Sequence, residues 1–184
     1  MKNKTLQKLV LSGLFLAIGY VLPFLTGQIQ QIGNMLLPMH IPVLLCGLIC
    51  GWKYGLAVGA ILPVTRSLIF SMPVLYPNAV AMAFELAAYG FFVGFFYKRL
   101  SQKGIVGIYL SLIPAMLLGR AVWGVVQVCL LGLGGKAFPF SAFLAGAFLN
   151  AIPGIILQLV LIPALMAVLQ RTLLLPFQNE KNGT

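Results

Sequence analysis

A chain of 184 residues that is 61% hydrophobic and 8% charged lies far from a soluble globular domain, which runs near half apolar and about a quarter charged. The net charge of +10 comes from basic residues placed at breaks between apolar runs, not gathered on one soluble face, which argues against nucleic acid as a partner. At about 20 residues per membrane crossing, the length accommodates six spans and leaves no room for a separate soluble domain.

Met1 to Lys8 holds three lysines and leads into the first apolar stretch, Leu6 to Leu25. Such a start is like a secretion signal, but no small-residue cleavage site follows and the run is long enough to remain as a span. A polar, turn-rich segment comes next, with Gln28, Gln30, Gln31, Asn34 and His40. His40 is flanked by Pro38 and Pro42 and reads as a loop-fixing residue, since no second metal ligand stands near it.

From Ile41 to Phe70 the chain is apolar again, interrupted by Gly51-Trp52-Lys53-Tyr54-Gly55. This is either one overlong span or two short helices joined by a tight basic turn. The later spans run from Ala79 to Tyr97, Ile105 to Leu133 and Phe140 to Leu169. The last two are long enough to tilt, or to kink at Pro114, Pro153 and Pro163.

Charge placement decides between the alternatives. With two helices between Ile41 and Phe70, Lys2, Lys4, Lys8, Lys53, Lys98, Arg99, Lys103, Arg171 and Lys181 share one side, and Lys136 lies opposite. One span there would split the basic residues between the two faces, so the positive-inside rule favours two helices. The expectation is an all-α integral membrane bundle of six transmembrane helices with cytoplasmic N- and C-termini. It forms a single domain over 1–184, with spans at about 6–25, 41–51, 55–70, 78–97, 105–133 and 140–170.

Ionisable side chains at membrane depth cost about 2.5–3.5 kcal/mol each, so those present ask for a reason. Arg66 falls near the outer end of the third span. Glu85 lies about 10 Å inside the outer end of the fourth, and Arg120 about 15–20 Å inside that of the fifth. Asn150 reaches a similar level, about 15 Å down the sixth span. The expectation is that Glu85 pairs structurally with Arg66 on the neighbouring span, with Arg120 as the alternative partner. Two arginines face one carboxylate, so one guanidinium is left for a bound anion.

Trp123 and Gln127 share a helical face with Arg120, which offers an aromatic wall and an amide to a small molecule. Packing between helices is the alternative role for Trp123. Gln158 reads as an interhelical hydrogen-bonding residue. Tyr76 and Asn78 precede the fourth span on the outer side. Cys46, Cys50 and Cys129 stand in apolar segments with no ligand set beside them and read as packing residues. Gly13 with Ala17, Gly51 with Gly55, Gly55 with Gly59 and Gly90 with Gly94 make small-xxx-small steps that permit close helix approach.

The runs IPVLLCGLICGWKYGLAVGAILPVTRSLIF, YPNAVAMAFELAAYGFFVGFFYKRL and LNAIPGIILQLVLIPAL carry a resemblance, together with size, span number and a long polar first loop. The chain resembles the substrate-binding S component of an energy-coupling factor (ECF) vitamin transporter over nearly its whole length. Gly13 stands where that family usually has alanine. The resemblance implies high-affinity binding of a small water-soluble vitamin or precursor near the outer surface. It also implies coupling through a transmembrane T component and two ATP-binding A components, dedicated or shared. The implied substrate-binding set is Asn78, Glu85, Arg120, Trp123, Gln127 and Asn150, and the implied contact with the partner subunit is at Gly13 and Ala17. No cofactor or metal is expected. The charge count suits an anionic substrate such as pantothenate.

An enzyme is not expected. A metalloprotease needs paired His and acidic ligands, and an intramembrane serine protease needs Ser with His at depth, whereas His40 reads as a loop residue. An autonomous small-solute carrier or channel is the alternative function. Acidic rings, internal repeats and a proton-relay chain, which would support it, are not visible in the sequence.

Overall fold

The computed structural model describes residues 4–25, 35–100, 104–133, 139–147 and 149–171. Within hydrocarbon every backbone N–H and C=O needs a partner in its own segment, so the apolar runs close into helices. These are α1 (Lys4–Leu25), α2 (His40–Cys50), α3 (Trp52–Phe70), α4 (Val80–Leu100), α5 (Gly104–Leu133), α6 (Phe140–Ala147) and α7 (Ile152–Arg171). A 3₁₀ turn at Leu149–Ala151 separates α6 from α7, and the two together make one crossing. Among the described residues the result is an all-α membrane bundle of six helical segments, five of them long and apolar enough to cross a membrane and the sixth, α2, shorter, with no strand.

The run from Ile41 to Phe70 divides at its basic turn. Gly51 adopts φ 98°, where an L side chain would be strained, and its carbonyl accepts from both Tyr54 N–H and Gly55 N–H at 3.1 Å. Helix α5 continues unbroken through Pro114, whereas the sixth crossing breaks just before Pro153. That proline sits in the first turn of α7, where a missing N–H costs nothing.

Helix α2 is the most enclosed element, with all eleven residues buried. At 1.5 Å per residue it is about 16 Å long, close to half the hydrocarbon thickness. Its neighbours are α1, α3, α4 and α7, and α4 in turn packs against α3 and α5. The tip of this half-length helix, His40, is therefore held deep among the others.

Three glycine backbones let α2, α3 and α4 meet. A methyl group on Gly55 would lie 2.7 Å from Gly47 Cα and from the Gly90 carbonyl oxygen. One on Gly90 would lie 2.2 Å from the Gly55 carbonyl oxygen, and one on Gly59 would lie 2.3 Å from that of Leu86. The small-residue steps at Gly55, Gly59, Gly90 and Gly94 are thus a true α3–α4 contact surface.

Helix α1 is different. Ser12, Phe15, Gly19 and Pro23 are buried at helical spacing, while Gly13 and Ala17 are exposed, and a methyl on Gly13 would meet nothing within 4 Å. The inward stripe is tied by Tyr20 to Thr65 of α3 at 2.6 Å and by Ser12 to Cys46 of α2 at 3.7 Å.

Candidate functional site

The polar centre forms where three helices bring one residue each to the same depth. Glu85 stands five residues into α4, about 8 Å from its start, and Arg120 stands midway along α5. Gly119 presents no side chain to Tyr89, one turn beyond Glu85, which lets α5 seat against that ring. Arg120 Nη1 then lies 2.8 Å from Glu85 Oε1, and His40 Nε2 at the tip of α2 lies 3.4 Å from the same oxygen. These are charge contacts whose angles fall short of straight hydrogen bonds. The His40 ring also meets Tyr89 edge to face, with centroids 5.1 Å apart. His40, Glu85 and Arg120 are all buried.

Several donors and acceptors in this region have no protein partner among the described residues. Arg120 keeps both Nε and Nη2 unpartnered and buried, as does His40 its Nδ1 and Gln127 its Oε1. The Nε–Nη2 edge is one of the guanidinium edges that can grip a planar anion through two parallel bonds. Gln127 lies seven residues beyond Arg120 on the same face of α5 and is also buried.

The expected Arg66–Glu85 pair does not form, because Glu85 is turned to Arg120 and His40. Arg66 donates instead from Nη1 to the Met72 carbonyl at 2.6 Å. Its guanidinium lies 5.5 Å from the Phe24 ring and 5.4 Å from the Phe70 ring. Facing aromatic rings and a carbonyl stabilise a cation without a carboxylate. Among the described residues, Arg66 is therefore the arginine of the two without an acidic partner.

The remaining nominated residues are spread around the turns and the α5–α6 seam. Trp123 stacks against Phe143 of α6 at 6.2 Å, half-buried, so the packing role applies to at least one of its faces. Asn78 is half-buried in the wide turn Leu75–Ala79, and Asn150 is exposed in the turn before α7. Tyr76 donates its hydroxyl to the Leu130 carbonyl, which fastens the turn before α4 to the C-terminal part of α5. Gln28, Gln30, Gln31 and Asn34 lie outside the described residues.

One residue takes a different place from that expected of it. His40 is a helix-start residue in the polar centre, not a loop residue. The signal was available: Pro42 two residues later suits the first turn of a helix. Gln158 on α7 is fully buried, but neither of its amide atoms has a hydrogen-bond partner among the described residues.

A family model described as the ECF transporter substrate-specific component matches residues 7–166. The chain belongs to that family. No curated protein and no solved structure shows significant similarity to it. An ECF substrate-specific component is a transporter's binding subunit, and its family is not one of enzymes. Membership implies a small substrate together with T and A components as partners.

Proposed function

We propose that this chain is the high-affinity binding subunit of an ATP-driven ECF importer for a water-soluble vitamin or precursor that carries a carboxylate or similar anion. Pantothenate is one molecule of that kind. The observation that carries the reading is the unpartnered Nε–Nη2 edge of Arg120, buried beside Glu85. Glu85 engages Nη1 and holds the guanidinium in place, leaving the other edge to a ligand. Gln127 offers an amide on the same face, and Trp123, Asn78 and Asn150 supply an aromatic edge and two turn amides at the outer end of the bundle. Energy would come from the A components, because the chain shows no nucleotide-binding motif of its own.

The small molecule that co-purifies with the protein, identified by mass spectrometry, provides the test. Titration calorimetry should find its uncharged amide analogue bound about 2 kcal/mol or more weakly than the acid, the lower range for losing one partner of a buried charge pair. Equal affinity for the two forms would remove the anion reading and leave Arg120 structural. Accumulation of substrate by the chain reconstituted alone would instead identify an autonomous carrier.

A cytoplasmic placement of both termini is supported by the basic end of the bundle, where Lys4, Lys8, Lys53, Lys98 and Arg99 gather, through the positive-inside rule. In a cysteine-free background, Lys53→Cys should react with an impermeant thiol reagent only after permeabilisation, and exposed Val74→Cys in intact cells. The reverse pattern would overturn the orientation. The exposed face of α1 at Gly13 and Ala17 is the proposed contact for the T component, since a small-residue surface open to the outside suits close approach by another helix.

A further inference from the structure

At the end of the bundle opposite Arg120, a groove of about 370 Å³ opens between α3 and α4, lined by Trp52, Phe91, Phe95, Lys98 and Arg99. Its wall is an aromatic column. Phe91 stacks on Phe95 with centroids 5.7 Å apart and planes 12° from parallel, and Trp52 meets Phe91 edge-on at 5.4 Å. Three cations crown that column. The Arg99 guanidinium sits 4.2 Å from the Phe95 ring centroid, Lys53 sits 5.5 Å from that of Trp52, and Lys98 lines the rim.

Among the described residues these cations have no acidic counterpart nearby. The sequence holds two carboxylate side chains, and among the described residues the one present is Glu85, engaged by Arg120 and His40. Thirteen residues separate Glu85 from Lys98 along α4, about 20 Å. The aromatic wall is half-buried along the apolar α4, whereas Lys98 and Arg99 in its last turn are exposed. An apolar flank below a cationic rim matches a molecule with an acyl chain and an anionic head in the same order.

We infer that this groove is a binding site for an anionic phospholipid, with its phosphate held by Lys98 and Arg99 and its first acyl carbons against Phe91, Phe95 and Trp52. The guanidinium lies over the Phe95 ring and retains N–H groups for phosphate oxygens. The site stands apart from Arg120, so it does not depend on which substrate the protein binds.

Native mass spectrometry of the protein in mixed micelles tests this, with phosphatidylglycerol and phosphatidylcholine as the probes. Phosphatidylglycerol adducts should persist at collision energies that strip phosphatidylcholine. The K98Q/R99Q variant should lower phosphatidylglycerol occupancy about thirtyfold, as expected for two basic groups at a lipid surface. A charge-retaining K98R/R99K variant should keep most of it, and both variants should titrate the co-purified small molecule as the parent does. Equal retention of the two lipids, or unchanged occupancy in K98Q/R99Q, would overturn the proposal. Displacement of the adduct by millimolar inorganic phosphate would make this a soluble-anion site and also overturn it. So would loss of T-component association by K98Q/R99Q in lipid-free detergent, which would mark an acidic protein surface as the occupant.

Discussion

Arg120→Met should lower the stability of the folded bundle by about 3–5 kcal/mol, the range for breaking a buried ion pair by removing one partner. The loss arises from Glu85, left as a buried carboxylate with His40 and the Tyr89 hydroxyl as its remaining polar contacts. Glu85→Gln should be harmful for the mirrored reason, since it strands a buried guanidinium. The E85Q/R120M double variant removes both charges and should be clearly more stable than the sum of the single losses implies, because neutral replacement of a buried pair is often well tolerated. Arg66→Met should leave the pair untouched. Its cost is that of the Met72 hydrogen bond and the two ring contacts, so it should add independently to either single change. Chemical or thermal unfolding in detergent provides the measurement. Strict additivity of E85Q and R120M would mean that the 2.8 Å contact carries little energy.

The sequence made the depth of these residues legible but not their direction. Hydropathy and the spacing of lysines gave six crossings and divided the run from Ile41 to Phe70 at Gly51. Cost then selected Glu85 and Arg120, since a charged side chain at such depth needs a partner. Counting residues from helix ends places Arg66 and Arg120 at the outer side alike. It does not say which faces α4, and the answer depends on how α3 and α5 are rotated in the bundle. Arg66 found an alternative in Phe24, which lies on α1 some forty residues earlier and could not be matched to it by local pattern.

His40 was obscured by its neighbours. Two flanking prolines and a polar segment before it look like a loop, and nothing local shows that α2 stops halfway across the membrane. Once α2 is known to be about 16 Å long, its first residue must lie at depth. The glycines were more legible than their abundance suggested. Gly47, Gly51, Gly55 and Gly59 recur every four residues across the α2–α3 turn. The steps from Gly51 onwards read as candidate contacts, and Gly47 extends the same spacing and touches both α3 and α4.

Glycine substitutions should therefore separate the core from the partner surface. Gly90→Ala places a methyl 2.2 Å from the Gly55 carbonyl oxygen and 2.3 Å from its carbon. Those are backbone atoms of a helix, so neither can swing away as a flexible side chain would. The helices must move apart, which also loosens the Gly47 contact and the seating of His40 against Glu85. Overpacking of this kind costs about 1–3 kcal/mol, occasionally more, and here it opposes an intrinsic helical preference of alanine over glycine of about 1 kcal/mol. Gly13→Ala offers the same preference with open space around the methyl, and should be neutral or slightly stabilising. Gly13→Trp should likewise fold and bind substrate, because the face is exposed and lies outside the polar centre. It should fail to co-purify with the T component, since bulk there holds a second helix away. Melting temperature, ligand titration and co-purification, measured on the three variants together, distinguish these outcomes. A Gly90→Ala protein as stable as the parent would mean that the α3–α4 crossing is looser than described. A Gly13→Trp protein that assembles normally would place the T-component contact elsewhere on the bundle.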